Sequence, residues 1–128
     1  MKLVLDTCVF IWLGLQPEQI SRAAQEAIAR SESCIASITF MELGHLIKKG
    51  RVALPGGICT FSELVIEAHR IQVLPLTAAI IERAMNLPET VNKDPADRII
   101  SASAIDLGCH LATADGNLRA AAVVPTIW

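Results

Sequence analysis

Short aliphatic runs alternate with segments of helical pattern along the whole chain, and no hairpin turn joins any two of the runs. Lys2 to Asp6, Cys34 to Ser37, Gln72 to Leu76 and Cys109 to Thr113 read as strands, with Val123 and Val124 as a candidate fifth. Strands separated by helices, with no tight turn to pair neighbours directly, predict a parallel sheet of about four to five strands flanked by helices. The fold class is therefore α/β, and no internal repeat or linker divides it.

Local signals bound the helices between these runs. The first begins near Thr7 and runs to Leu15, where Gln16-Pro17 breaks it. Ser21 to Arg30 is Ala-rich and amphipathic. Thr39 to Lys49 closes at Gly50, and Glu42 follows Thr39 by three positions, the spacing of a capping box. Pro55-Gly56-Gly57 reads as a turn, because the Lys and Ser/Thr of a phosphate-binding loop are missing. A helix over Phe61 to Arg70, capped by Thr60, and another over Thr77 to Met85 follow. The polar connector Pro88 to Lys93 leads into a well-specified helix start: Asp94 as N-cap, Pro95 at the first position, and Asp97 in the first turn, where negative charge suits the dipole. That helix ends at Gly108.

At 128 residues and 52% hydrophobic content the chain suits one domain, 1–128, with a real core; the high apolar fraction also hints at a partner surface. A net charge of −2 excludes the global basic signature of a nucleic-acid binder, so any phosphate contact must be local or metal-mediated. Lys48, Lys49 and Arg51 form the only dense basic cluster. Cys8, Cys34, Cys59 and Cys109 sit singly in apolar surroundings without zinc-site spacing and are expected to be buried thiols in a reducing cytoplasm. The apolar run at the N-terminus is broken by Asp6 and reads as neither a signal peptide nor a membrane span.

Four carboxylates stand out by position. Asp6 and Asp115 close predicted strands, while Glu42 and Asp97 sit in the first turns of predicted helices. In a right-handed α/β arrangement, strand ends and the helix starts that follow them share one edge of the sheet. Asp6, Glu42 and Asp115 fit that edge directly; Asp97 does not, because a connector precedes its helix. Each also has a bland reading, as a helix cap or a dipole-matching charge. If the four converge, their repulsion at neutral pH calls for a hard divalent cation, and an all-oxygen donor set favours magnesium or manganese. That chemistry points to phosphodiester hydrolysis without a covalent nucleophile. His45, His69 and His110 lack a polar context that suits a general base.

Leu5-Asp6-Thr7, Glu42, Asp94-Pro95-x-Asp97-Arg98 and Thr113-x-Asp115, in this order, resemble the PIN-domain ribonucleases, specifically the VapC toxins of toxin–antitoxin pairs. The resemblance spans essentially the whole chain. It implies a magnesium- or manganese-dependent endoribonuclease that uses a metal-activated water, a homodimer, and a small antitoxin as partner. Carried over by position, Asp6, Glu42, Asp97 and Asp115 match the acidic quartet, with Asp6, Asp97 and Asp115 as the metal ligands. Asp94 is expected as a cap or a further ligand, Thr7 and Thr113 as hydroxyl partners, and Arg98 as a group that orients a carboxylate or a phosphate. Asn92 and Ala96 depart from the family pattern of a His before the Asp-Pro pair and a bulky residue after it. Two other readings of the chain are a catalytically silent module with the same fold and a receiver-type signalling domain, though the single acid after the first strand and the lack of a matching Lys speak against the receiver.

Overall fold

The computed structural model describes residues 1–128. Strands β1 (Lys2–Leu5), β2 (Glu32–Ala36), β3 (Gln72–Leu74), β4 (His110–Ala112) and β5 (Thr126–Ile127) form one sheet in the order β3-β2-β1-β4-β5, every neighbouring pair parallel. Helices α1 (Thr7–Leu15), α2 (Arg22–Arg30), α3 (Ile38–Lys48), α4 (Gly57–His69), α5 (Ala78–Met85), α6 (Pro95–Leu107) and α7 (Gly116–Ala121) fill the connections, with a short 3₁₀ turn at Pro17–Gln19. The chain builds outward from β1 through β2 to β3, then crosses back to β4 and β5 on the other side of β1. This order differs from the 2-1-3-4-5 order of flavodoxin-like folds, to which receiver domains belong. It leaves a crevice between β1 and β4 at the carboxyl end of the sheet, where ligands bind in open α/β folds.

Both faces of the sheet are covered, which is why its strands are almost wholly apolar. Leu3, Leu5 and Ile35 point to one face, packed with Val9, Phe10, Leu43, Phe61 and Val65 from α1, α3 and α4. Val4, Cys34 and Ala36 point to the other, against Ile80 and Ala84 of α5 and Ile99, Ile100 and Ala104 of α6. On the first face Phe10 and Phe61 meet edge to face at 6.0 Å. Gly14 permits that approach: a Cβ there would sit 2.5 Å from the Phe61 ring and 2.7 Å from Val65 Cγ2.

Several elements depart from expectation for local reasons. The fifth strand forms at Thr126–Ile127 and not at Val123–Val124. Ala122 ends α7 in the left-handed region at φ 52°, Val124 drops into the core, and the ladder with β4 opens at the Pro125 carbonyl, which accepts from Leu111 N–H at 2.9 Å. Helix α4 starts at Gly57, ahead of the expected Phe61, because Gly56 at φ 77° supplies a left-handed turn in place of a Thr60 cap. Of the four cysteines, Cys34 and Cys109 are buried as expected, but Cys8 and Cys59 are exposed. Helix α4 buries Phe61, Ser62 and Val65, which leaves Cys59 on its outer side. No helix is long and apolar enough to cross a membrane.

Candidate active site

The crevice begins at Asp6. The ladder between β1 and β4 continues one residue past β1, with Asp6 N–H donating to the Ala112 carbonyl at 3.0 Å. The Asp6 carboxylate is thereby fixed at the strand end. Its Oδ1 accepts from Thr7 N–H at 2.8 Å and its Oδ2 from the Thr113 hydroxyl at 2.7 Å. The same Thr113 oxygen accepts from Asp115 N–H at 3.0 Å, and Asp115 in turn caps α7 by accepting from Leu118 N–H at 2.9 Å. Thr7 and Thr113 are both buried, so these hydroxyls are committed to the acids beside them.

Glu42 reaches the crevice from α3. The capping box predicted from Thr39 does not form: Ser37 is the cap residue of α3, Glu42 lies beyond its first turn, and Thr39 is fully buried. Glu42 Oε1 accepts instead from the Thr7 hydroxyl, which lies 3.3 Å from that of Thr39. A polar chain thus runs Glu42, Thr7, Asp6, Thr113, Asp115 across the mouth of the crevice.

Asp94 and Asp97 enter from the other side on α6. The helix start has the form read from the sequence: Pro95 is the first helical residue, and Asp94 Oδ1 accepts from Ala96 N–H at 2.9 Å and Asp97 N–H at 3.4 Å. Asp97 Oδ2 accepts from the Asn92 side-chain amide at 2.7 Å. Carboxylate oxygens of Glu42, Asp94 and Asp97 come within 4.8 Å of one another, so Asp94 is both a cap and a member of the cluster. Asp6 and Asp115 stand alongside, close enough for their charges to act on Asp97.

The electrostatics show what is missing from such an arrangement. Burial pushes Glu42 up to about 7 and Asp97 up to about 6; the hydrogen bonds from Thr7 and Asn92 oppose it, and the charges of the neighbouring acids add to it. Asp6 is also raised, chiefly by burial, despite its two donors. The negative field reaches Cys8, whose thiol is lifted to about 11 by partial burial of the sulfur and by Asp6, Glu42, Asp97 and Asp115. No basic side chain balances these charges: the ion pairs in the molecule join Arg22 to Glu26 and Arg83 to Asp106, neither involving a site residue. Acidic oxygens gathered without a cationic partner match the requirements of a hard divalent cation.

Arg98, the cation next to Asp97 in sequence, does not supply the balance. In place of the expected carboxylate or phosphate contact, its guanidinium donates to backbone carbonyls: Ala84 at 3.1 Å, Leu87 at 2.6 Å, Pro88 at 3.5 Å, Val91 at 3.2 Å and Asn92 at 3.4 Å. The first of these belongs to the C-terminal turn of α5 and the rest to the connector that follows. Arg98 therefore satisfies carbonyls that a helix end leaves unpaired and sits at the negative end of the α5 dipole.

A family model described as PIN domain matches residues 3–124. The chain belongs to the PIN-domain family. This PIN domain is 35% identical over 117 residues to Ribonuclease VapC22 of Mycobacterium tuberculosis (strain ATCC 25618 / H37Rv), covering 91% of this chain and 88% of that protein. Its fold is similar to that of VapBC2 from Rickettsia felis bound to a promoter DNA fragment, with a TM-score of 0.72 at 13% identity over 98% of this chain and 97% of that one. VapBC-1 from nontypeable Haemophilus influenzae gives 0.69 at 18% identity over 98% and 96%. The sarcin–ricin-loop-cleaving toxin VapC20 of Mycobacterium tuberculosis gives 0.60 at 17% identity over 96% and 99%. At these identities the likeness to solved structures concerns the fold.

Two residues that organise the PIN-domain crevice escaped the sequence reading. In the sequence Asn92 stands out only as a departure from the family pattern, and Asn117 carries no signal at all. Asn92 N–H donates to Asn117 Oδ1 at 2.9 Å, joining segments 25 residues apart. No local spacing rule reports such a pair.

Proposed function

We propose that this PIN domain is a metal-dependent endoribonuclease, the toxin of a VapBC-type toxin–antitoxin pair, which uses Mg²⁺ or Mn²⁺ to hydrolyse RNA phosphodiester bonds. The observation that carries the reading is the cluster of Glu42, Asp94 and Asp97 carboxylates beside the buried Asp6, free of any cationic partner, at the β1–β4 crevice of a chain 35% identical to a ribonuclease.

Asp6, Asp97 and Asp115 are the residues assigned to hold the cation, with Asp94 and Glu42 completing the acidic set. A bound divalent cation supplies Lewis acidity, which makes water a better nucleophile and offsets the charge that builds on the phosphate oxygens. The protein's own share is orientation. Thr113 fixes Asp6 Oδ2, Thr7 fixes Asp6 Oδ1 through its N–H and Glu42 Oε1 through its hydroxyl, and the α6 cap sets the direction of Asp94 and Asp97. Lys48, Lys49 and Arg51, at the end of α3 and just beyond it, offer local cations for the RNA backbone on a chain whose net charge of −2 otherwise repels it. A small antitoxin as inhibitor, in accord with VapBC complexes among the proteins of similar fold, and a homodimeric state complete the reading.

The test is cleavage of RNA by nuclease-free protein with Mg²⁺, Mn²⁺ or EDTA, alongside Asp6→Asn. Cleavage that needs the cation and disappears in the folded variant is expected. Cleavage that persists in EDTA, or in Asp6→Asn, overturns the reading.

A further inference from the structure

We propose that Asn92 is a positioning residue for the carboxylates of the site: its amide end fixes Asp97, its carbonyl end fixes the Asp94 turn, and Asn117 holds Asn92 in place. The proposal rests on the nuclease reading above and concerns how the acids on α6 are aimed.

The geometry uses every polar group that Asn92 has. Its Nδ2 donates to Asp97 Oδ2 at 2.7 Å, while its Oδ1 accepts from Asp94 N–H at 3.0 Å. Its backbone N–H donates to Asn117 Oδ1 at 2.9 Å, and its backbone carbonyl accepts from Arg98 at 3.4 Å. The Oδ1 bond alone is an ordinary Asx turn and needs no functional account. The Nδ2 bond is different, because the turn does not require it and it ends on a carboxylate of the cluster. One planar amide therefore sets both the position of the α6 start and the orientation of Asp97. Asn117 extends the link to α7, the helix capped by Asp115, so the acids on two separate helices are held in register.

The chemistry of the donor also fits. Outer partners that hydrogen-bond to ligating carboxylates orient them, and their loss weakens metal binding. A Lys or Arg in this place would bring a positive charge that competes with the cation. A neutral amide fixes the carboxylate and leaves its charge available. Arg98 shows the same separation, since its charge is spent on backbone carbonyls.

Calorimetric titration of Mn²⁺ into wild type, Asn92→Ala, Asn92→Ser, Asn117→Ala and the Asn92→Ala/Asn117→Ala double variant tests this. Ser can still accept from Asp94 N–H but cannot reach Asp97, so Asn92→Ser should keep the unfolding midpoint of the metal-free protein close to wild type. Asn92→Ala and Asn92→Ser should each weaken Mn²⁺ binding by about 10- to 100-fold, the range for loss of an outer partner. In RNA cleavage both should lower kcat with little change in KM. Asn117→Ala should show a smaller loss, and the double variant should be no worse than Asn92→Ala, because Asn117 acts through Asn92. Wild-type Mn²⁺ affinity in folded Asn92→Ser, or fully additive losses in the double variant, overturns the proposal while leaving the nuclease reading intact. A wild-type protein that binds no Mn²⁺ and cleaves no RNA overturns the nuclease reading and this proposal with it.

Discussion

The crevice has two halves built in different ways. Asp6 belongs to the sheet: its own N–H is part of the β1–β4 ladder, and Thr7 and Thr113 hold both of its carboxylate oxygens. Asp94 and Asp97 belong to a helix start whose place depends on the connector Leu87 to Lys93, which carries no regular structure of its own. That connector is pinned by Arg98 through its carbonyls and by Asn117 through Asn92 N–H. The strand half is rigid because the core is rigid. The helix half is rigid only as far as a few side chains make it so, and variants should separate the two.

The largest contrast is expected between Asp6→Asn and Asp94→Asn. Losing the strand-borne acid should lower metal-dependent RNA cleavage by about a thousandfold, the scale at which transition-state charge stabilisation is lost. Asn is itself a good N-cap, so Asp94→Asn preserves the start of α6 and should cost only about tenfold. Steady-state kinetics on both variants would break the comparison if Asp94→Asn proved the worse. Next is Arg98→Ala, which strands the carbonyls at the end of α5 and along the connector; about 2–3 kcal/mol of stability should be lost in urea unfolding. Mn²⁺ affinity should fall with it, since the connector carries Asn92. Thr113→Val removes a buried donor from Asp6 and should cost about 1–2 kcal/mol, with α6 unaffected.

The smallest expected effect is in pH. Glu42 and Asp97 carry pKa values of about 7 and about 6 in the folded protein, above their ordinary values of 4.5 and 3.8. The folded state thus binds protons more tightly than the unfolded chain. The contribution of these groups to stability is full below their ordinary values and is lost as pH rises through their folded ones. Metal-free protein should melt about 5 °C lower at pH 8 than at pH 5, and Mg²⁺ should remove most of that difference. A metal-free midpoint that rises over this interval would contradict the charge balance assigned to the site.

What could be read from the sequence divides along the same line. Asp6 and Asp115 could be placed because strand ends and helix caps have local signatures, and the Asp94-Pro95 start was complete in four residues. Glu42 reaches the edge expected of a helix that follows a strand, and only its bland reading as a cap fails. Its spacing from Thr39 imitates a capping box, but the helix begins at Ile38 and the side chain pairs with Thr7, 35 residues away. Arg98 and Asn92 act through the path of an irregular connector, whose backbone dihedrals no periodicity encodes. The misplaced fifth strand has a similar origin: two adjacent valines look like a strand, yet one of them serves the core and Pro125 opens the ladder. Cys8 and Cys59 show the limit of composition, since an apolar neighbourhood in sequence says little about which side of a helix faces out.

The Asp6–Thr113 hydrogen bond spans 107 residues, and it has a consequence in time. Strand β1 is made before its β4 neighbour, and the Thr113 hydroxyl follows Asp6 only 107 residues later. At about 5–20 residues per second, the acids on β1, α3 and α6 spend seconds without the strand that closes the crevice. The order of the strands thus delays assembly of the complete site until β4 has been made.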